Sequence, residues 1–289
     1  MTVLEAINKG AEFLTRKGID SPRLQSELLL AHILNLPRLR LYLDFERQLT
    51  DAQANQLRDL IVRRGNHKPL QHITGSTSFC GLPIIVTPAV LIPRPETEVL
   101  AEHAWTFLNA ILTETTFLEL GTGSACLPIA IATHAKRSRG VAIEISPEAL
   151  VIAKQNIEKN GLANRIELRE GYFLAALQPA ERFDVIVSNP PYIPTAEVEL
   201  LQPEVRDHDP RLALDGGADG LKFHRALAQG AAQFLKPGGR LFVEFADGQG
   251  EALRDLFGAN GWRVHGVIPD LSGTDRILST SPTADSPTN

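Results

Sequence analysis

Asn189, Pro190, Pro191 and Tyr192 stand in a row one residue, Ser188, after the apolar run Val185-Ile186-Val187. A strand ending there delivers Asn189 to its carboxyl end, where open α/β sheets bind their ligands. The two prolines stiffen the turn and remove two N–H donors, leaving carbonyl acceptors exposed. Asn189 then offers a side-chain oxygen, Pro190 a backbone oxygen and Tyr192 an aromatic face. Such a set suits methylation of a planar nitrogen. The lone pair of an amide or exocyclic amine is delocalised and attacks poorly, but two acceptors gripping its N–H bonds can fix the nitrogen and aim it at a methyl donor. Catalysis of this kind rests on orientation and on stabilising developing positive charge, more than on a strong base. No Ser-His-Asp or Cys-His arrangement recommends a covalent route. The alternative is a rigid strand-to-loop turn with no chemical role.

A second cluster lies upstream, at Glu119-Leu120-Gly121-Thr122-Gly123-Ser124-Ala125. It follows a strand and opens a helix, so its glycines let the backbone turn tightly beside a ligand that faces helix N–H groups. Position 126 is Cys, so the third glycine of the dinucleotide fingerprint is missing, which argues against NAD. Glu144 ends the next strand, where an acidic side chain can accept hydrogen bonds from both hydroxyls of a ribose. A nucleoside without a phosphate fits this pair of features, and S-adenosylmethionine is the obvious candidate. Solvated strand-end carboxylates at Glu119 and Glu144 are the alternative.

The elements that must hold these groups alternate. Strands are expected at 117–120, 140–145, 166–168, 183–188 and 240–245, and helices at 125–134, 147–160, 220–235 and 249–260. This order predicts an α/β fold with a largely parallel, Rossmann-like sheet and helices on both faces. Ahead of it, residues 1–68 read as helices. Thr2-x-x-Glu5 and Thr50-x-x-Gln53 are capping boxes, and Ser21-Pro22 reads as a cap with a first-turn proline. Residues 69–95 form a β-hairpin linker around Phe79-Cys80-Gly81, and a helix starts near Pro95. Residues 193–218 make a long acidic connection, of a length often functional or mobile. The Ser-, Thr- and Pro-rich stretch from Ser279, and with it the tail 281–289, reads as disordered.

The chain has 289 residues, 43% of them apolar and 22% charged, which is the composition of an ordinary globular protein. No apolar run approaches the ~18–20 residues of a spanning helix, so no membrane role is expected. The start of the chain makes a poor secretory signal, and Cys80 and Cys126 form no C-x-x-C, which together point to a cytoplasmic protein without a thiolate metal site. Residues 1–75 carry 11 basic and 8 acidic side chains, although the whole chain has a net charge of −5. That balance disfavours a stable nucleic-acid partner.

Several motifs occur together and in order: Pro69-Leu-Gln-His-Ile-Thr-Gly75, Leu91-Ile-Pro-Arg-Pro-Glu-Thr-Glu98, the glycine loop, Asn189–Tyr192, Pro210-Arg-Leu-Ala-Leu-Asp-Gly-Gly217, Lys236-Pro-Gly-Gly239 and Gly273-Thr-Asp-Arg276. On these the chain, over about residues 2–280, resembles the HemK/PrmC family of release factor N5-glutamine methyltransferases. The resemblance implies a class I methyltransferase domain over 96–280 and a substrate-recognition role for 1–68. It implies S-adenosylmethionine as cofactor, with S-adenosylhomocysteine as product and no metal. Class I peptide-chain release factors would be the partners, methylated on the glutamine of their Gly-Gly-Gln motif. By position, Glu119, Gly121, Thr122, Gly123, Ser124, Ala125 and Asn189 would contact the cofactor, Glu144 its ribose and Tyr172 its adenine. Asn189, Pro190, Pro191 and Tyr192 would hold the substrate amide, with Asn189, Pro190 and Tyr192 catalytic. Ala125, Glu144, Gly171 and Ala246-Asp247 depart from the family's usual pattern. The Asn-Pro-Pro-Tyr core by itself also leaves open a glutamine of a ribosomal protein, or the N6 amine of adenine in nucleic acid.

Overall fold

A computed structural model describes residues 1–283. The described residues divide into two compact units, one made of 1–76 with 202–208 and the other of 77–201 with the described residues from 209 on. This differs from a simple division near residue 68, because a short segment of the long acidic connection belongs with the first unit.

The first unit is helical. Helix α1 (Val3–Arg16) and helix α3 (Asp51–Gly65) start on the two expected capping boxes, each satisfying two backbone N–H groups that a helix end leaves open. Helix α2 (Pro22–Leu34) begins with the expected first-turn proline, but Ser21 caps nothing. Its φ of 49° is left-handed, whereas a capping hydroxyl reaches the next turn from the extended region. Val3, Ile7, Leu14, Leu29, Leu57 and Ile61 meet in the core between these helices, with the short helix α4 (Leu70–Thr74) beside it. Burial pushes the Glu27 carboxyl up, yet Arg38 at 2.8 Å, Tyr42 at 2.9 Å and Arg23 at 3.1 Å outweigh it and hold it below the usual range.

The second unit opens with a hairpin, β1 (Ser76–Phe79) and β2 (Leu82–Ile85). Cys80 and Gly81 both turn through positive φ, 49° and 75°, as a two-residue hairpin loop requires. Helix α5 (Pro95–Ala110) follows. Then come β3 (Thr115–Leu120), α6 (Cys126–His134), β4 (Ser138–Glu144), α7 (Pro147–Lys159), β5 (Ile166–Glu170) and β6 (Phe183–Ser188). After the short helix α8 (Pro203–Arg206) of the first unit, the chain makes α9 (Lys222–Gly230), β7 (Leu235–Glu244), α10 (Gly250–Ala259), β8 (Trp262–Pro269) and β9 (Asp275–Pro282).

Seven strands form one sheet in the order β5-β4-β3-β6-β7-β9-β8. The pairs from β5 to β7 are parallel, whereas β9 runs antiparallel to β7 and to β8. Their apolar runs are buried on both faces, under α5, α6 and α7 on one side and α9 and α10 on the other. From β3 the chain builds outward first through β4 and β5, then returns to add β6 on the opposite flank. A crevice opens where the order reverses, at the carboxyl ends of β3 and β6.

The disordered stretch expected from Ser279 is not found through Pro282. Thr280 pairs with Leu241 on one side and Val264 on the other, and its side chain is fully buried. A Ser/Thr run caught between two strands has its backbone hydrogen bonds made for it, whatever its composition suggests. Residues 284–289 of the expected tail lie outside the described residues.

Candidate active site

All components of the site belong to the second unit. The glycine loop leaves β3 and climbs into α6 through three left-handed residues: Gly121 (φ 77°), Gly123 (φ 53°) and Ala125 (φ 62°). Nothing lies within 4 Å of where a Cβ would stand on Gly121 or Gly123, so backbone conformation, not crowding, demands glycine there. At Ala125 the same conformation is held by a residue with a Cβ, an unfavourable choice that the surrounding contacts must offset. The loop is pinned from β4. Ile143 O accepts from Gly121 N (2.9 Å) and Thr122 N (3.0 Å), and Glu144 Oε2 accepts from Gly123 N at 2.8 Å. Glu144 Oε1 also accepts from the N–H groups of Ile145 (2.9 Å) and Ser146 (3.0 Å).

Glu119 is buried at the end of β3 and accepts a hydrogen bond from Thr122 Oγ1. Burial pushes its carboxyl well above the usual range, against that hydrogen bond and together with the nearby charge of Glu144. Asn156, fully buried on α7, joins loop and hairpin. Its amide donates to Ser124 O and Ile85 O, both at 2.9 Å, and its oxygen accepts from Ile85 N at 2.7 Å. Beyond β5, Tyr172 stands half-exposed on the cavity wall. Gly171 before it has no room for a side chain, because a Cβ would collide with that of Ala176.

Asn189 emerges from β6 and its Nδ2 donates to Thr97 Oγ1 at 3.1 Å. The prolines after it are held from below by the run that ends in Gly216. A Cβ on Gly216 would stand 2.7 Å from Pro191 O, and Gly216 N donates to Ile193 O at 2.8 Å. Gln249 donates to Tyr192 O at 3.0 Å. Glu119, Gly121, Thr122, Gly123, Ser124, Glu144, Tyr172, Asn189, Pro190 and Pro191 therefore line one cavity. Ala125 and Tyr192 do not line it. Ala125 is fully buried behind the loop, and the Tyr192 hydroxyl turns to Glu244 Oε1 at 3.3 Å.

Sequence reasoning passed over Thr97 and Glu244 here. Thr97 and Glu244 are both buried, and no residue pattern singles out a hydroxyl on one helix and a carboxyl on a distant strand. Arg94 lines the cavity and its Nη2 donates to Asp209 Oδ2 at 2.6 Å. Burial raises the Asp209 carboxyl despite that partner. Cys126 lines the cavity too, and burial pushes its thiol far above the usual range, so it is no nucleophile. Among the described residues, no group of His, Cys, Asp and Glu is placed to hold a metal ion, and no helix is long and apolar enough to cross a membrane.

Comparisons with known proteins agree with this layout. A family model described as the PrmC N-terminal domain matches residues 5–75, and one described as a methyltransferase domain matches residues 111–268. A release factor glutamine methyltransferase from Geobacter sulfurreducens is 41% identical over 277 residues, covering 96% of this chain and 95% of the relative. One from Moorella thermoacetica is 43% identical over 279 residues, covering 96% and 98%. Among solved structures, a ribosomal protein L11 methylase from Lactobacillus delbrueckii subsp. bulgaricus aligns with a TM-score of 0.51 at 20% identity. It covers 69% of this chain and 85% of that one, a likeness of fold alone.

Proposed function

Since the chain belongs to the release factor glutamine methyltransferase family, we propose that it methylates the side-chain amide nitrogen of the glutamine in the Gly-Gly-Gln motif of class I peptide-chain release factors. S-adenosylmethionine supplies a methyl group already activated by its sulfonium. The observation that carries this reading is the single cavity shared by the glycine loop with Glu144 and the Asn189-Pro190-Pro191 turn. One half fits a nucleoside and the other an amide.

The fit of the nucleoside half rests on three features. Gly121 and Gly123 keep the loop free of side chains, Glu144 presents a carboxylate at the strand end, and Tyr172 offers an exposed ring to stack on a base. The amide half works through its acceptors. The Asn189 NH2 group is engaged by Thr97, which leaves Oδ1 free to accept one N–H of the substrate amide. Pro190 O accepts the other. Gripped at both N–H bonds by Asn189 Oδ1 and Pro190 O, the nitrogen would be presented to the methyl group, and the positive charge it would gain as the methyl passes from sulfur to nitrogen would meet two fixed dipoles. The surplus proton then leaves the nitrogen for solvent. Pro191 and the glycines beneath it keep this turn from relaxing. Tyr192 braces the turn through Glu244 instead of facing the substrate.

The reading is tested by a transfer assay with methyl-labelled S-adenosylmethionine. Intact release factor is compared with a Gly-Gly-Gln→Gly-Gly-Ala variant, and the labelled residue is located by peptide mass spectrometry. Label on the motif's glutamine, lost in the variant, is expected. Label on another residue, or equal label in both substrates, overturns it.

A further inference from the structure

Beneath the amide-binding turn lies a buried polar cluster, of which the catalysis derived above uses only the Thr97 contact to Asn189 and the Tyr192 brace. Glu244, at the end of β7, is 1% exposed. Its Oε1 accepts from the Tyr192 hydroxyl, and its Oε2 has no hydrogen-bond partner. Thr97, 3% exposed on the first turn of α5, accepts from Asn189 Nδ2 through the same oxygen whose proton is uncommitted. That hydroxyl is one of the groups favouring the charged form of Glu244. The Thr97 hydroxyl, held against Asn189, and the unpartnered Glu244 Oε2, below Tyr192, are thus both buried beneath the turn, and the hydroxyl bears on the Glu244 carboxyl.

We propose that Glu244 is a positioning residue that, through Thr97, sets which way round the Asn189 amide faces the substrate. The inference rests on the glutamine-methylation reading and adds the device that makes Asn189 an acceptor. An ionised Glu244 accepts a hydrogen bond from the Thr97 hydroxyl, so Thr97 presents a lone pair to Asn189, whose NH2 turns inward and whose oxygen turns to the cavity. A protonated Glu244 has a donor to offer instead. Thr97 then accepts from Glu244 and directs its own proton at Asn189, which favours the amide turned about. Its NH2 would then meet the N–H of the substrate amide, donor against donor.

The groups facing Glu244 tune this switch. Burial raises its carboxyl to about 7, opposed by Thr97 of α5 and Tyr192 of the turn, reinforced by Glu96 of α5 and opposed again by Arg276 of β9. Arg94 bears on the same pair through Tyr192. His224 of α9 shares a hydrogen bond with the Glu244 backbone oxygen at 2.9 Å, and its burial, lowering its pKa to about 4, leaves it neutral there.

The test has two readouts on wild type, Glu244→Gln, Thr97→Val and Thr97→Ser. The first is kcat for release factor methylation against pH. Wild type is expected to lose about tenfold per pH unit below an inflection near 7. Glu244→Gln should lose the inflection. Thr97→Val should lower kcat by about 10- to 100-fold with the cofactor KM within about twofold, and Thr97→Ser should restore rate and inflection together. The second readout is the Asn189 side-chain NH2 signal in a ¹⁵N spectrum, identified by its loss in Asn189→Asp. It should titrate with the same midpoint in wild type and stay constant in Glu244→Gln. An unchanged inflection and titration in Glu244→Gln overturn the inference. A titrating Asn189 in a protein that does not methylate glutamine upholds the switch and overturns the functional reading instead.

Discussion

Replacing Glu144 by Gln separates two jobs that its carboxylate holds at once. Three backbone N–H groups point at it, from Gly123, Ile145 and Ser146, at 2.8 to 3.0 Å, and it is 7% exposed. A glutamine keeps one oxygen, which can stay with Ile145 and Ser146, but it presents an NH2 to the Gly123 N–H. One charge-assisted bond, worth about 1.5–3 kcal/mol, is lost and a buried N–H is left without an acceptor. Some relaxation of the loop offsets this, so about 2–4 kcal/mol of local stability should go. At about 2–4 °C per kcal/mol for a unit of this size, the ligand-free melting temperature should fall by roughly 4–16 °C. The ribose contact is a separate loss. Giving up one charged acceptor for a hydroxyl should weaken S-adenosylhomocysteine binding by about ten- to a hundredfold, since 1.4 kcal/mol is about a factor of ten. Scanning calorimetry and isothermal titration read the two effects independently. A lower melting temperature with unchanged affinity would leave Glu144 only as the brace of the glycine loop. No change in either would refute the whole argument.

Asn189→Ala should cut methyl transfer by at least about 10²-fold while cofactor affinity stays within about threefold, as checked by single-turnover kinetics and titration calorimetry; a parallel loss of both would take the amide contact away from Asn189. Glu204→Ala should destabilise the helical unit by about 1–2 kcal/mol, less than a fully buried pair because Glu204 is partly exposed, leaving Arg64 with only Gln25 and the Lys68 carbonyl. Faster amide exchange in 202–208 and α3 is the readout, and unchanged protection would count against it. A pH effect on stability follows from Glu244. Its carboxyl is raised from 4.5 to about 7 in the folded chain, so between those values the native state holds the extra proton and stability falls as pH rises. Against Glu244→Gln, the wild type should therefore lose ground across pH 4.5–7, by on the order of 3 kcal/mol. Parallel urea titrations at pH 5 and 8 would show it, and an equal difference at both would contradict it.

The parallel core was legible in the residues because its strands are short apolar runs and its helices carry their own start signals. Thr2, Thr50 and Pro95 mark helix starts that depend only on neighbours a few residues away. Ser21 looked like the same signal, but its role turns on a backbone angle set by how α1 hands over to α2. The antiparallel pair β8 and β9 was hidden for a related reason. Ser279 and Thr280 are strand residues by virtue of partners on β7 and β8, and nothing local to them says so. At the site, the groups in contiguous motifs were visible, and ten of them meet at one cavity. Thr97 and Glu244 were not, since each reaches the motif from far along the chain, Thr97 to Asn189 across 92 residues and Glu244 to Tyr192 across 52. Tyr192 was in the motif but faces away, which the spacing of four residues in a tight turn cannot reveal.

The short helix α8 has a temporal consequence. Residues 202–208 complete the helical unit, where Glu204 meets Arg64 Nη2 at 3.0 Å and His67 Nδ1 at 3.1 Å. Yet the 125 residues 77–201 separate them from Ser76. A ribosome adding about 5–20 residues per second needs on the order of ten seconds to bridge that interval. During synthesis the nascent helices must wait with the Arg64 guanidinium lacking its anion, until the parallel sheet as far as β6 has been made. The amino-terminal helices are first to be translated and cannot be first to be finished.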